Sequence, residues 1–345
     1  MAFLLTGFLL LLAASGAAQS QEPQESFEDE ISVSLVEMVV RVVDTWGRPI
    51  LDLKPEDFRV RVGKEEIPVA GLEWISAEDG EIPAAAAEAP DGEGQEVTVA
   101  LPRPGRLVVF FVQADLNPTR ISGQLRMRTR TRELLDTLHP GDRVAVVSYD
   151  SHLKMWQDFT RDREVVHTIL DEAMLYSPER EIAPVGDPSL ARGFDFAGAK
   201  KAASAERALE LTARAMEPLP GEKIMIYLGW GLGRFGDGGV QMTPSYAPAV
   251  KALRDANASV FVLDVTSADY HSLEEGLEQV AADTGGLYLK TFRLPNLATE
   301  VLSKAISGYY LLTLDRGQMP ADEGVIEVGL RQKRGTVLAR PVAVR

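Results

Sequence analysis

The rhythm of apolar and polar positions changes several times along the chain. Ile31 to Val43 (ISVSLVEMVVRVV) is β-branched and partly alternating, which predicts a strand. Asp44-Thr-Trp-Gly-Arg-Pro49 is turn chemistry, and Leu53 to Phe58 reads as a short structured turn. Phe58-Arg-Val-Arg-Val62 alternates with a period of two, Gly63-Lys64 turns, and Ile67 to Ile75 returns. Residues 31–76 therefore read as a small antiparallel β-module. From Arg106 the pattern differs in kind. Leu107 to Val112, Val144 to Val147, Ile224 to Leu228 and Ser259 to Leu263 are short, almost wholly apolar runs, the mark of strands buried on both faces. Lys154 to Phe159 is expected to pair beside the second of them, and 287–292 is one more strand. Helix-period segments stand between, at 121–138, 162–175 (with Asp162 as N-cap), 197–217, 247–256, 272–283 and 295–307. This alternation predicts a mostly parallel sheet between helices, with sites beyond the carboxyl ends of its strands. From Tyr309 the chain reads β again, at 309–314, 324–330 and 337–344, and this C-terminal β segment is expected to pack with the N-terminal module. The expected division is a signal peptide (1–18), an acidic spacer (19–30), the β-module (31–76), a linker rich in Ala, Glu, Gly and Pro (77–103), the α/β domain (104–305) and the C-terminal β segment (306–345).

Composition adds three constraints. Of 345 residues, 36 are basic and 51 acidic, a net charge of −15. Five acids without a base lie in residues 22–30 and seven more in 78–96, so the segments predicted to fold are close to neutral. Nucleic acid is excluded as a partner on this balance, because affinity there comes from neutralising phosphates. With no cysteine, disulfides, thiolate metal sites and Cys nucleophiles drop out together. Phe3 to Ala14 is almost continuously apolar and runs into Ser15-Gly-Ala-Ala18 and polar Gln19-Ser-Gln21, an h-region followed by a cleavage zone near Ala18. No Lys or Arg precedes it, an atypical n-region, so an uncleaved anchor stays open as the alternative. The expectation is a secreted or periplasmic protein with no membrane span after signal cleavage.

Candidate chemistry is sparse. The end of the first buried strand reads Gln113-Ala-Asp115-Leu-Asn117-Pro-Thr119, whose oxygens suit a hard cation such as Mg²⁺; equally, Asp115 or Asn117 caps the following turn or helix. Gly231-Leu-Gly233-Arg-Phe-Gly236 matches a dinucleotide fingerprint after a strand, but Asp237-Gly-Gly239 and Pro244 follow where a helix should open. The four histidines (His139, His152, His167, His271) include no i, i+4 pair, and there is no G-x-S-x-G elbow, so no catalytic constellation emerges. Arg126, Arg128, Arg130 and Arg132 spread around a helix and read as a solvated face. Trp230, in a glycine loop at the strand ends, is either an exposed contact anchor or a ring packed under the loop.

In order, Gly-Arg-Pro-x-x-x-Leu-x-Pro-Glu-Asp-Phe (Gly47 to Phe58), Pro-Gly-Asp-Arg-Val-Ala-Val (Pro140 to Val146), Asp158-Phe-Thr160, Pro220-Gly-Glu-Lys-Ile224 and Gly308-Tyr-Tyr-Leu311 resemble the secreted, VWFA-related proteins of the acidobacterial type. The resemblance covers nearly the whole mature chain. It implies an α/β fold with a Rossmann-like von Willebrand factor A domain over about 104–305. Such domains bind protein ligands through a metal-ion-dependent adhesion site of Asp-x-Ser-x-Ser, a Thr and a further Asp. This chain departs from that pattern. Gln113, Asp115 and Asn117 stand on the first loop in place of Asp, Ser and Ser, or, with the register moved by one, Ala114 replaces the first Asp; Ser189 and Ser204 are the hydroxyls near the second, which has no Thr; Trp230-Gly231 stands for Asp-Gly. A degenerate site is expected, without a cofactor, Asp115 and Asn117 allowing at most weak Mg²⁺ binding. The functional expectation is a non-catalytic adhesion or scaffold module, binding an unknown protein partner through loops 113–119, 148–152 and 229–239, with Asp115, Asn117, Thr119, Asp150 and Trp230 as contacts. The alternatives are a nucleotide-binding α/β enzyme using Gly231 to Gly236, and a structural envelope component that has lost ligand binding.

Overall fold

The computed structural model describes residues 34–77, 105–115, 117–170, 182–320, 324–332 and 335–344. The proposed signal peptide, the acidic spacer and nearly all of the linker lie outside the described residues. In chain order the elements are β1 (Leu35–Val43), β2 (Phe58–Val62), β3 (Glu65–Ile67), β4 (Val69–Ser76), β5 (Leu107–Gln113), α1 (Pro118–Asp136), β6 (Arg143–Tyr149), β7 (Leu153–Thr160) and α2 (Arg163–Thr168). There follow α3 (Phe196–Ala199), α4 (Ala205–Met216), β8 (Lys223–Gly229), β9 (Arg234–Gly236), β10 (Gly239–Gln241), α5 (Tyr246–Asp255), β11 (Ala258–Asp264), α6 (Glu274–Asp283), β12 (Tyr288–Lys290) and α7 (Pro295–Ala305). The chain closes with β13 (Gly308–Asp315), β14 (Gly324–Leu330), β15 (Thr336–Ala339) and β16 (Val342–Val344).

The all-apolar runs build one six-stranded sheet in the order β12-β11-β8-β5-β6-β7, parallel except for the antiparallel edge strand β7. Every residue of β5, β8 and β11 is buried, as strands covered on both sides require. Odd-numbered positions of β5 (Leu107, Val109, Phe111) face α4, α5 and α6; even-numbered ones (Val108, Phe110, Val112) face α1, α2 and α7.

The period-two strands build a different body. β1, β4, β13 and β15 form one antiparallel sheet and β2, β3, β14 and β16 a second, around a shared core of Met38, Val40, Phe58, Val60, Tyr310 and Leu312. β13 lies between β1 and β4, with Val39 opposite Leu311 and Tyr309 opposite Ile75. The strands before and after the α/β sheet thus interleave, and the α/β part is an insertion between β4 and β13. β1 serves both bodies: Val40 and Val42 face the sandwich core, whereas Val43 packs with the even-numbered face of the α/β sheet. That double burial explains why its alternation is only partial.

The turn 44–49 fits its residues. Asp44 Oδ1 accepts from the N–H groups of Trp46 (2.8 Å) and Arg48 (2.9 Å). Gly47 has φ +74° and stands so close to the Val301 carbonyl that a Cβ would collide with it. Two expectations are corrected and a third is met as far as the described residues reach. The helix expected from 197 begins at Ala205, because Ser204 accepts from Arg207 N–H (3.2 Å) and the Asp195-capped α3 is a separate turn. The helix begun by Asp162 runs over Arg163–Thr168 with a π-helical turn at 169–170, and the rest of its expected span lies outside the described residues. The glycine loop 229–239 is no plain loop: β9 and β10 pair within it and just beyond.

Candidate functional site

At the carboxyl ends of the sheet strands, the loops after β5, β6, β8 and β11 converge. Gln113 ends β5 with its side chain buried. Its Nε2 donates to the Gly231 carbonyl (2.9 Å), and its Oε1 accepts from Trp230 N–H (2.9 Å) and Gly231 N–H (3.3 Å). One amide therefore fastens two strand ends together, donating at one end and accepting at the other. Gly231 is required there, because a Cβ would run into the side chain of Leu273.

Asp115 and Asn117 serve the local backbone. Asp115 Oδ1 accepts from Asn117 N–H (2.8 Å), and the Asn117 carbonyl accepts from the N–H groups of Arg120 and Ile121 (both 2.9 Å), starting α1. Asp115 also pairs with the Arg120 guanidinium, which lies 3.4 Å over the centre of the Trp230 ring. Trp230 is half-buried against the even-numbered face of the sheet, so its ring is packed beneath Arg120 instead of standing free as an anchor. Thr119 lies in the first turn of α1, and its side chain is outside the described residues.

Behind this row of loops runs an open cleft of about 610 Å³, lined by Gln113, Tyr149, Asp150, Lys201, Glu206 and Trp230 among others. It brings together two of the five residues singled out from sequence, Asp150 and Trp230; Asp115, Asn117 and Thr119 are not in its lining. Burial pushes the Asp150 carboxyl up, but hydrogen bonds from Lys154 (2.6 Å) and Ser151 outweigh it and hold it at about 2. Asp150 is therefore negative at any physiological pH. Glu206, 3% exposed, accepts from Gly233 N–H (3.0 Å).

Beside the cleft, at the end of β11, is a group that sequence reasoning missed. Asp264 is buried and accepts from His271 Nε2 (2.8 Å), Tyr288 Oη (2.7 Å) and Thr266 N–H (2.9 Å). Burial pushes its carboxyl up, yet these three donors dominate and keep it below the usual carboxylate range. Burial and the bond to Asp264 push the Tyr288 hydroxyl far up. The cluster ties the loop that carries Leu273 to the sheet. The spacings of seven and twenty-four residues follow no periodic signal. Nor is the arginine row of α1 one solvated face: Arg126 donates to Ser267 (3.3 Å) and lies 5.6 Å from the Phe292 ring centre, while Arg130 pairs with Glu133 (2.7 Å).

These residues do not fit a divalent cation. Gln113 is neutral and both ends of its amide are engaged, Asp115 already has a guanidinium as counter-charge, and an indole stands at the position of the third acid. Among the described residues no three His, Cys, Asp or Glu side chains gather closely enough to hold a metal. The glycine fingerprint also lacks its context. Gly236 lies in a hairpin and the next helix along the chain starts only at Tyr246, so the loop does not run directly into a helix N-terminus as the fingerprint requires.

The class this architecture defines is mixed α/β: a six-stranded sheet between two layers of helices, inserted into a β-sandwich. No family model matches the chain, and no curated protein matches it. Solved structures similar to it include the conserved hypothetical protein BatB from Bacteroides thetaiotaomicron, at 18% identity over 59% of this chain and 97% of that one, with a TM-score of 0.37. A von Willebrand factor type A protein from Catenulispora acidiphila is 10% identical over 83% of this chain and 75% of that one, with a TM-score of 0.40. The pilus adhesin SpaC from Lactobacillus rhamnosus GG is 8% identical over 88% of this chain and 48% of that one, with a TM-score of 0.39. At this distance the likenesses carry no functional argument, and the reading of the site rests on its own geometry. Among the described residues no helix is long and apolar enough to cross a membrane.

Proposed function

We propose that the protein is a non-catalytic interaction module of the von Willebrand factor A type, secreted or periplasmic, that holds a protein partner at the carboxyl ends of its α/β sheet without a metal. The observation that carries this reading is the Gln113 clamp. The residue standing where the family pattern has its first acid joins two loops into one face instead of offering an oxygen to a cation. Beside it lies a wide cleft of mixed charge with Asp150, Lys201 and Arg234 at hand, suited to the polar rim of a protein contact. Export is supported by the apolar stretch Phe3 to Ala14 and the small residues after it. The test is capture from an envelope extract in EDTA with immobilised protein. Wild type should retain a defined partner that Asp150→Lys combined with Lys201→Glu loses. Retention of the same partners by that variant places the contact elsewhere.

A further inference from the structure

The cleft at the carboxyl ends of the strands has an apolar floor and a charged mouth. Tyr149, Trp230 and Leu273 are half-buried in its lining, and Leu232 is buried beneath them. Five charged side chains line it: Asp150, Lys201, Glu206, Arg207 and Arg234. Two of these are answered from outside the cleft. Asp150 pairs with Lys154 (2.6 Å), and Arg207 pairs with Glu210. Glu206 is turned to a structural task, since its Oε1 accepts from Gly233 N–H at the root of the β9–β10 hairpin. Lys201, in the turn between α3 and α4, and Arg234, on β9, are both exposed. Neither has an ion pair or hydrogen bond among the described residues. Two open cations on different elements therefore stand at the mouth, against one enclosed acid that is already engaged.

We propose that the cleft takes an acidic segment of the protein partner, in which carboxylates flank an apolar residue. The carboxylates pair with Lys201 and Arg234, and the apolar side chain lies on Tyr149, Trp230 and Leu273. This inference rests on the reading of the face as a protein contact and adds the chemistry of the partner. Open cations around an apolar floor select the opposite pattern in whatever fills them. The negative charges of Asp150 and Glu206 disfavour a compact, multiply charged phosphate. A peptide suits the mixture better, because it brings N–H donors as well as carboxylates. The chain as a whole carries −15, so its general field repels such a ligand and only local pairing can hold it. Pairs at exposed cations are individually weak, at about 0.2–1 kcal/mol, and so set specificity while the apolar contact supplies most of the affinity.

The test is fluorescence-polarisation titration of the full chain, at low ionic strength, with labelled dodecapeptides that repeat Glu-Leu-Glu-Gly or Gln-Leu-Gln-Gly, and with inorganic triphosphate as competitor. The glutamate peptide should bind saturably, and the glutamine peptide at least about threefold more weakly. Lys201→Gln combined with Arg234→Gln should weaken the glutamate peptide about 3- to 30-fold, and Lys201→Glu combined with Arg234→Glu more steeply still. Both side chains are exposed, so the melting temperature should stay within about 2 °C of wild type. An effect graded by charge at constant stability is one that a structural disturbance does not produce. Absence of saturable binding by the glutamate peptide, equal binding of the glutamine peptide, triphosphate displacing the label more effectively than unlabelled glutamate peptide, or a charge-reversed variant indistinguishable from wild type would each overturn the proposal. The outcome is separable from that of the envelope capture. If Asp150→Lys combined with Lys201→Glu loses its partner while the glutamate peptide fails to bind wild type, the face stands and its acidic ligand is refuted. If glutamate binding depends on Lys201 and Arg234 while that variant keeps its partner, the acidic-ligand site stands and the captured partner binds elsewhere.

Discussion

The Gln113 clamp can be measured by replacing it with a side chain of similar bulk and no polarity. Gln113→Leu removes three hydrogen bonds, at 2.9, 2.9 and 3.3 Å, from a position 3% exposed. The Gly231 carbonyl and N–H are then stranded in a buried segment, while Trp230 N–H keeps partial access to water. A buried backbone group without a partner costs about 1–3 kcal/mol. Two such groups at about 1.5 kcal/mol each give about 3 kcal/mol, from which the burial of the leucine side chain returns about 1 kcal/mol. The net loss should be about 2 kcal/mol, a fall of about 4–8 °C in melting temperature at 2–4 °C per kcal/mol. Urea unfolding gives the free energy, and hydrogen exchange locates it. The amides of Trp230 and Gly231 should lose protection while the centre of β5 keeps it. A loss below about 0.5 kcal/mol with unchanged exchange at both amides would refute the clamp. If the variant is destabilised as expected and still captures its partner at wild-type affinity, the pre-formed face is irrelevant to binding.

Asp158 is fully buried and accepts from five groups: Ser189 Oγ (2.6 Å) and the N–H groups of Phe159 (2.8 Å), Val185 (3.2 Å), Leu190 (2.6 Å) and Ala191 (3.2 Å). Asp158→Asn turns an amide N–H against some of these donors and should cost about 3–4 kcal/mol in urea unfolding, with new proteolytic cleavage in 182–195; a cost under about 1 kcal/mol contradicts the role of the carboxylate. Asp264 is held below the usual carboxylate range, so its stabilising contribution is complete above the unfolded value of about 3.9 and fades as pH falls through the lower folded value. Urea midpoints should therefore drop below about pH 4, and Asp264→Asn should flatten that drop; an unchanged acid limb in the variant assigns it to other groups. Partner capture should be insensitive to EDTA, and calorimetry with millimolar Mg²⁺, Mn²⁺ or Ca²⁺ should give no saturable heat. A stoichiometric isotherm abolished by Asp115→Ala would sink the metal-free reading.

Residue patterns carry some of these features and not others. The four apolar runs from Leu107 onward are strands because a segment of that length without polar interruption has no solvent face to spare. Phe58 to Val62 alternates in sequence and in burial alike. The interleaving of β13 between β1 and β4 has no local trace, since it pairs residues more than 230 positions apart, such as Tyr309 with Ile75. The hairpin β9–β10 is hidden because three-residue strands rich in glycine carry no alternation. At the site, both uses of Asp115 and Asn117 could be written down in advance, and the capping use is the one built. The work of Gln113 could not. A glutamine amide donates and accepts in any direction, and only the approach of the β8 loop decides which groups it meets. Asp264, His271 and Tyr288 gather for the same reason: three different strand ends and loops deliver them to one point.

The two ends of the α/β sheet solve the problem of buried polarity differently, and this bears on where a partner can act. At the carboxyl end, neutral or singly charged side chains satisfy loop backbone: Gln113 holds 230–231 and Asp264 holds 266. Such bonds fix loops locally and leave their outer rims free to vary. At the amino end, full charges face one another across the junction: Arg41 from the sandwich against Glu222 from the sheet, and Arg106 against Asp142. Desolvation offsets most of the Coulomb gain of such pairs, so they add little net stability, but a misaligned junction would strand each charge without its partner. They therefore select one orientation of sandwich and sheet. A junction fixed in that way holds the sandwich and the sheet in one register, whereas the loop rims at the other end remain accessible to a macromolecule.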